Sequence, residues 1–284
     1  MRVGKQTRNE CPLRLDRFVA APAQSRNRRS SPAPLSQGVA VLRRTLLAIA
    51  ENHLIELLPQ KDRLRLQSLC EPVELKISEI LCERGERTLH VYFPTDGFIS
   101  LLTRSDDTPA LEVGMVGREG MLGAHVVLGV VTAPLQALVQ GGGAAWRIDT
   151  LAFQRELGRS TALQDCLHHY IQVLMAQLTA SAACLRFHKI SPRLARWLLM
   201  SQDRAHADSF HVTHESLAHM LGVRRVGITV AASAMQRAGL IEYRRGELTV
   251  LNRGKLEAAA CSCYAADGGT YTEMNSPAAK RIAL

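Results

Sequence analysis

The chain has 284 residues, 46% of them hydrophobic and 21% charged. This is ordinary globular usage, long enough for about two domains with their own cores, and it excludes a peptide hormone or a knottin. The formal net charge of +9 is unevenly spread: residues 1–42 carry +6, residues 43–188 carry −2 and residues 190–256 carry +5. Two basic blocks flank a near-neutral body, and a basic block is the electrostatic footprint of a polyanionic partner.

Seven cysteines, at 11, 70, 82, 166, 184, 261 and 263, are odd in number, scattered and free of any CxxC. They spell neither a disulfide framework nor a zinc or iron–sulfur knuckle, so a reducing cytoplasm is the expected location and no metal or cofactor is expected. Residues 1–34 lack the continuous apolar core of a secretory signal. Pro12, Pro22, Pro32 and Pro34, with a Ser/Asn/Arg cluster at 25–31, predict a disordered basic tail over 1–42, ahead of the less economical reading as a transit peptide.

Short helical patterns follow at 52–58 and 61–70, split by Pro59, which can start the second. From Pro72 the apolar period shortens, with strands expected at 73–77, 89–93, 98–102 and 110–114. Turn residues at 84–86, 94–97, 105–109 and 117–120 space them as an all-β sandwich or roll requires. Between Gly120 and Trp146 no side chain is formally charged, but six glycines and Pro134 read as buried strands and turns in preference to a membrane span.

Residues 157–188 contain no proline, and Leu167, Ile171, Leu174, Leu178, Ser181 and Leu185 recur at spacings of four and three. A helix so apolar needs a partner. An interface with the same helix of a second copy fits that seam better than an intrachain contact, so these six residues form the expected dimer interface.

Thr213 is a plausible N-cap for a helix carrying Leu217, Ala218 and Leu221 inward. Gly222 then allows a sharp turn, and the apolar pattern restarts at Val223 and continues through Ile228, Ala231, Ala232 and Met235. Two short helices joined this way form a helix-turn-helix, whose second helix enters the DNA major groove with its first turn against base edges. That turn holds Arg224, Arg225, Val226 and Gly227, with Thr229 one step on. Arg225 is the expected guanine reader, Arg224 a contact to phosphate or a second base, and Thr229 a phosphate contact, while Gly227 would permit a close approach of backbone to DNA. Thr213 is counted with these DNA-facing residues. Residues 242–250 predict a hairpin wing that brings Arg244 and Arg245 to the sugar-phosphate backbone. No acidic residue falls between 216 and 241, which argues against a merely solvated arginine surface.

Other signals are weaker. His214 and His219 lie five residues apart and about 140° around a helix, so they cannot share a zinc, and a metalloprotease is rejected. The run Gly141–Gly143 lacks phosphate-loop spacing. Cys261 and Cys263 show no partnering Cys or His, which favours inert thiols over a metal or redox pair. His53, His90 and His125 are not distinguishable as haem ligands, and the His-x-His of a cupin enzyme is absent.

The order of parts resembles the Crp/Fnr family of transcription regulators over about residues 45–256. The likeness is most specific at 217–241, in Leu-Ala-x-Met-Leu-Gly-Val-Arg-Arg and Gln-Arg-Ala-Gly-Leu-Ile. It implies an α+β fold: a cyclic-nucleotide-binding-like β-roll sensor over 43–160, a dimerisation helix over 161–188, a winged helix-turn-helix over 189–256 and a C-terminal tail over 257–284. It also implies double-stranded DNA and a second copy as partners, RNA polymerase as a further one, no membrane and no enzymatic activity. Arg225 falls on the family's base-reading arginine.

Departures are equally specific. Where relatives that bind cyclic AMP have Gly-Glu-Leu and a following arginine, this chain has Gly120-Met121-Leu122 and Pro134-Leu135, which cannot hold ribose or phosphate, so a cyclic nucleotide is not expected as ligand. The clustered N-terminal cysteines of the oxygen-sensing branch are absent too. Val226 and Val230 replace two polar groups on the reading helix, so a different DNA site is expected. The competing reading is a ligand-binding or protein-docking module with a degenerate helix-turn-helix.

Overall fold

The computed structural model describes residues 52–104 and 109–274; the expected basic tail over 1–42 lies outside the described residues. Asn52 opens the described chain. It caps α1 (His53–Leu57) by accepting from the Leu54 N–H, and its amide donates to the carbonyls of Pro94 (2.9 Å) and Gly120 (2.8 Å). A fully buried amide is tolerated because each polar atom finds a partner. Pro59 then stands at the N-cap of α2 (Gln60–Ser68), since the residue before a helix needs no N–H of its own.

The β region forms two antiparallel sheets. One has the order β1-β7-β3, from β1 (Glu71–Leu75), β7 (Gly143–Asp149) and β3 (His90–Pro94). The other has the order β2-β6-β4-β5, from β2 (Ile80–Cys82), β6 (Gln136–Gly141), β4 (Phe98–Thr103) and β5 (Leu111–Val116). Leu75, Tyr92 and Ala145 of the first sheet share a core with Ile99, Leu101, Val116, Ala137 and Val139 of the second, which makes the pair a roll. Gly143 is fixed by crowding, because a Cβ there would lie 2.4 Å from the Asp96 backbone; the glycine run serves strand packing. The uncharged stretch 120–146 resolves into turns, a short helix α3 (Ala124–Val127), β6 and the start of β7. Among the described residues no helix is long and apolar enough to cross a membrane.

Each sheet is covered on its other face. Side chains alternate across a strand, so Val91 and Phe93 point away from Tyr92 and meet α1, α2, α4 (Thr150–Leu157) and the first half of α5 (Thr161–Phe187). β4 is buried on both faces: Phe98 and Leu102 turn away from Ile99 and Leu101 into a core made mainly by the C-terminal half. At its centre lies α6 (Ile190–Ala205), whose three arginines are all anchored. Arg193 donates to the Leu221 carbonyl, Arg196 pairs with Asp267 at 2.6 Å and Arg204 pairs with Glu119 at 2.7 Å.

Three expectations change here. The seam on α5 divides, with Leu167 and Ser181 buried in the chain's own core and Ile171, Leu174, Leu178 and Leu185 only partly covered. The apolar register reflects intrachain packing, because Leu163, Leu167, Tyr170, Val173, Gln177, Ser181 and Cys184 form the buried face. The open face instead carries His168, Gln172, Met175, Thr179 and Ala183. The expected tail from 257 is helical through Met274, as the end of α9 (Arg253–Ala259) and α10 (Cys263–Met274). A three-residue strand, β8 (Ser209–His211), joins the expected hairpin.

Candidate nucleic-acid interface

The C-terminal half folds as α6, β8, α7 (His214–Met220), α8 (Arg225–Arg237), β9 (Ile241–Arg244), β10 (Glu247–Val250) and α9. Thr213 has the expected cap geometry, its hydroxyl accepting from the Ser216 N–H at 3.0 Å. Gly222 takes φ +58 between the helices, and the Val223 N–H returns to the Ala218 carbonyl at 2.9 Å, closing the turn. Leu217, Ala218, Ile228, Ala231, Ala232 and Met235 pack against Leu194, Leu198 and Leu248. In the wing, Arg245 and Gly246 both have positive φ, at 52° and 86°, as a two-residue type I′ hairpin turn requires.

The outward face of α8 is unusual for its apolar exposure. Arg224 and Arg225 stand in water at its start, Val226 is 66% exposed and Val230, one turn later, 64%. Two exposed valines beside two exposed arginines cost hydration unless something covers them. Arg244 and Arg245 are also exposed at the hairpin tip. Helices and wing are tied together by one ring: His214 stacks on Tyr243 at 4.4 Å between centroids, and its Nδ1 lies 3.1 Å from the Thr229 hydroxyl. Burial, then the nearby Arg225 charge, lowers the His214 pKa below its usual 6.5, so the ring is neutral at pH 7.

Two expected DNA-facing residues also make contacts within the domain. Gly227 faces Ile190, whose Cδ1 would lie 2.6 Å from an added Cβ, so this glycine admits the start of α6 against α8. Thr229 donates back to the Arg225 carbonyl at 3.1 Å. Sequence reasoning placed Val226 in the DNA-facing turn but gave Val230 only as a departure, although the exposure of both is the clearest surface signal on α8.

At the sensor-like turn the geometry is closed. Met121 and Leu122 are buried, the Tyr170 hydroxyl donates to the Met121 carbonyl at 3.1 Å, and a Cβ at Gly120 would lie 2.4 Å from that hydroxyl. Of the histidines weighed as ligands, His125 sits 2.7 Å from the Thr88 hydroxyl, and burial lowers the pKa of both His125 and His53. The expectation that Cys261 and Cys263 lack partners is overturned: Cys184 and His188, distant in sequence, stand beside them.

A β-roll, a long helix and a winged helix-turn-helix follow one another along the chain. Residues 192–259 match the family model described as a Crp-like helix-turn-helix domain. The whole fold is similar to a putative Crp/Fnr transcriptional regulator from Eubacterium rectale, with 16% identity, TM-score 0.57, and coverage of 71% of this chain and 94% of that one. It is also similar to FixK2 from Bradyrhizobium japonicum, with 14% identity, TM-score 0.58, and coverage of 68% and 98%. A third likeness is to the c-di-GMP responsive global regulator CLP of Xanthomonas campestris, with 16% identity, TM-score 0.56, and coverage of 68% and 100%. No curated protein sequence matches. Residues 192–259 thus form a Crp-like helix-turn-helix domain within a fold similar to those of Crp/Fnr-type regulators.

Proposed function

We propose that the chain is a cytoplasmic, sequence-specific DNA-binding transcription regulator that acts as a homodimer on an inverted repeat. The observation that carries this reading is the outer face of α8, where Arg224, Arg225, Val226 and Val230 stand exposed beside a basic hairpin tip. Arg225 offers a bidentate fork to guanine O6 and N7, with Arg224 on phosphate or a second base. Val226 and Val230 suit thymine methyl groups, which is how an exposed apolar pair becomes an asset in the major groove. Arg244 and Arg245 meet the backbone and the exposed Thr229 hydroxyl a phosphate, while Thr213 caps α7 and Gly227 admits α6 against α8.

In this reading the second copy docks on the open face of α5, along His168, Gln172, Met175, Thr179 and Ala183, with Leu178 and Leu185 at its margin. Two recognition helices related by a two-fold axis then lie roughly 34 Å apart, one turn of DNA. The closed turn at Gly120–Leu122 supports a signal other than a cyclic nucleotide. RNA polymerase is the partner that such a regulator would address.

The test is selection of bound sequences from a random DNA pool by the purified chain without added ligand. Enrichment of an inverted repeat is the expected result. Salt-insensitive binding with no enriched motif would instead favour a docking module with a degenerate helix-turn-helix.

A further inference from the structure

The end of α5 and the segment after α9 meet at a cluster of four side chains. Cys184 lies on the last turn of α5, and the His188 N–H returns to the Cys184 carbonyl at 3.1 Å, which brings the imidazole over the same face. Cys261 and Cys263 arrive from the opposite side, Cys263 as the first residue of α10. One ligand atom from each of the four residues lies within 4.8 Å of all the others.

The separations are informative. Cys184 Sγ is 3.5 Å from Cys261 Sγ, and Cys263 Sγ is 3.6 Å from His188 Nδ1. A disulfide holds its sulfurs about 2.05 Å apart, so the first pair is two thiols. A tetrahedral ion with metal–sulfur bonds near 2.3 Å and metal–nitrogen bonds near 2.0 Å has sulfur–sulfur edges of about 3.8 Å and sulfur–nitrogen edges of about 3.6 Å. The observed distances match those edges to within a few tenths of an ångström. A multi-iron cluster would force its thiolates further apart than this group spreads.

The surroundings favour thiolates. Cys184 and Cys261 are buried and the other two half-buried, so the protein shields much of the group from water. The Arg196 guanidinium lies close to Cys184, Cys261 and Cys263. Arg196 is itself fixed by Asp267 of α10.

We propose that Cys184, His188, Cys261 and Cys263 form a four-coordinate site for one zinc-type divalent ion. Three thiolates and an imidazole are a soft donor set that selects zinc over magnesium or calcium. Binding is a proton exchange without redox change: the ion takes up three thiolate sulfurs and one neutral imidazole nitrogen, and the three thiol protons pass to solvent. The ion would staple the end of the long helix to the chain beyond the wing. Cys261 is already placed there, its N–H bonding the Pro192 carbonyl at 3.4 Å, so the staple spans the linker between α5 and α6.

The experiment uses the full chain, expressed with added zinc and purified with a non-thiol reductant. Expected are about one zinc per chain by elemental analysis and, after exchange, the visible absorption of tetrahedral cobalt with a thiolate charge-transfer band. Cys261→Ser combined with Cys263→Ser should lose both signals, Cys82→Ser should keep both, and His188→Ala should shift the cobalt spectrum by removing a nitrogen donor. Chelation should lower the thermal midpoint of the parent chain by several degrees and leave that of the double variant unchanged. The proposal is overturned if the folded, reduced parent chain takes up neither zinc nor cobalt in stoichiometric amount, or if the double variant retains them. A Cys184–Cys261 disulfide whose reduction restores no metal uptake would equally overturn it.

Discussion

Two turns in this molecule are candidate ligand-holding sites, and they are finished in opposite ways. At Gly120–Leu122 the chain fills the site itself: Met121 is buried among Val91, Phe93, Phe153 and Tyr170, and no room is left beside Gly120. At the start of α8 the side chains are left in water, arginine and valine together. The lesson is that a site's occupant can be read from what the protein leaves uncovered. The first turn has been converted to core, and the second still lacks its cover.

Experiments can break or sharpen that contrast, beginning with the largest effect. Met121→Glu places a carboxylate in an enclosed apolar site and should destabilise the fold by about 3 kcal/mol or more, measured by urea unfolding, without creating affinity for cyclic AMP. Nucleotide binding by that variant would show that the site is merely mis-spelled and not filled. Ile228→Ala, fully buried behind the recognition face, should cost about 2–5 kcal/mol.

Glu112 probes the seam between the two halves. Its carboxylate accepts from the Ser100 hydroxyl at 2.6 Å and from the Trp197 indole N–H at 2.9 Å, and burial raises its pKa from 4.5 to about 7. The folded state therefore holds a proton that the unfolded chain has released above 4.5. This contribution is complete below pH 4.5 and is lost as pH rises through about 7. Glu112→Gln should accordingly raise the thermal midpoint at pH 8 relative to the parent, by at most about 3 kcal/mol in stability, and show little gain at pH 5. An equal effect at both pH values would remove the carboxylate's titration from the account.

On the exposed side, Arg225→Ala should cost about 1–3 kcal/mol on the selected sequence and relax one base position, read in a competition binding assay. Arg244→Ala should weaken all sequences alike and reduce the salt dependence by about one counterion. Equal losses on selected and random DNA for Arg225→Ala would undo its assignment as a base reader. The smallest effect is expected at Thr213→Ala, where loss of the cap should cost about 1 kcal/mol of stability with the DNA preference unchanged.

Much of this architecture was legible in the residues. The strands β1, β3, β4 and β5, the helix over 161–187, the turn at Gly222 and the wing at Gly246 all follow from local pattern and turn chemistry. What local pattern does not encode is which surface covers which. The apolar seam of α5 was correctly periodic, but periodicity says that a face is buried and not whether the same chain buries it; Leu167 and Ser181 answer to the β-roll and to α6. Gly227 looked like a concession to DNA because its neighbour Ile190 lies 37 positions away in sequence. Cys184 and Cys261 are 77 positions apart, and only the return of α10 onto α5 brings them within 3.5 Å. A paired reading of Cys-x3-His at one end and Cys-x-Cys at the other was the available signal, and it needed the fold to connect the two.

One feature of the packing bears on how this protein can be handled. Phe98, Leu102 and Met115 of the β-roll sit in the same core as Trp197, Leu198, Met220 and Leu221. Cutting the chain before α6 would therefore not release a self-contained reading module; it would strip a hydrophobic wall from it and leave the indole of Trp197 without the carboxylate it bonds. The two halves share one hydrophobic core, so removing either would expose apolar surface on the other.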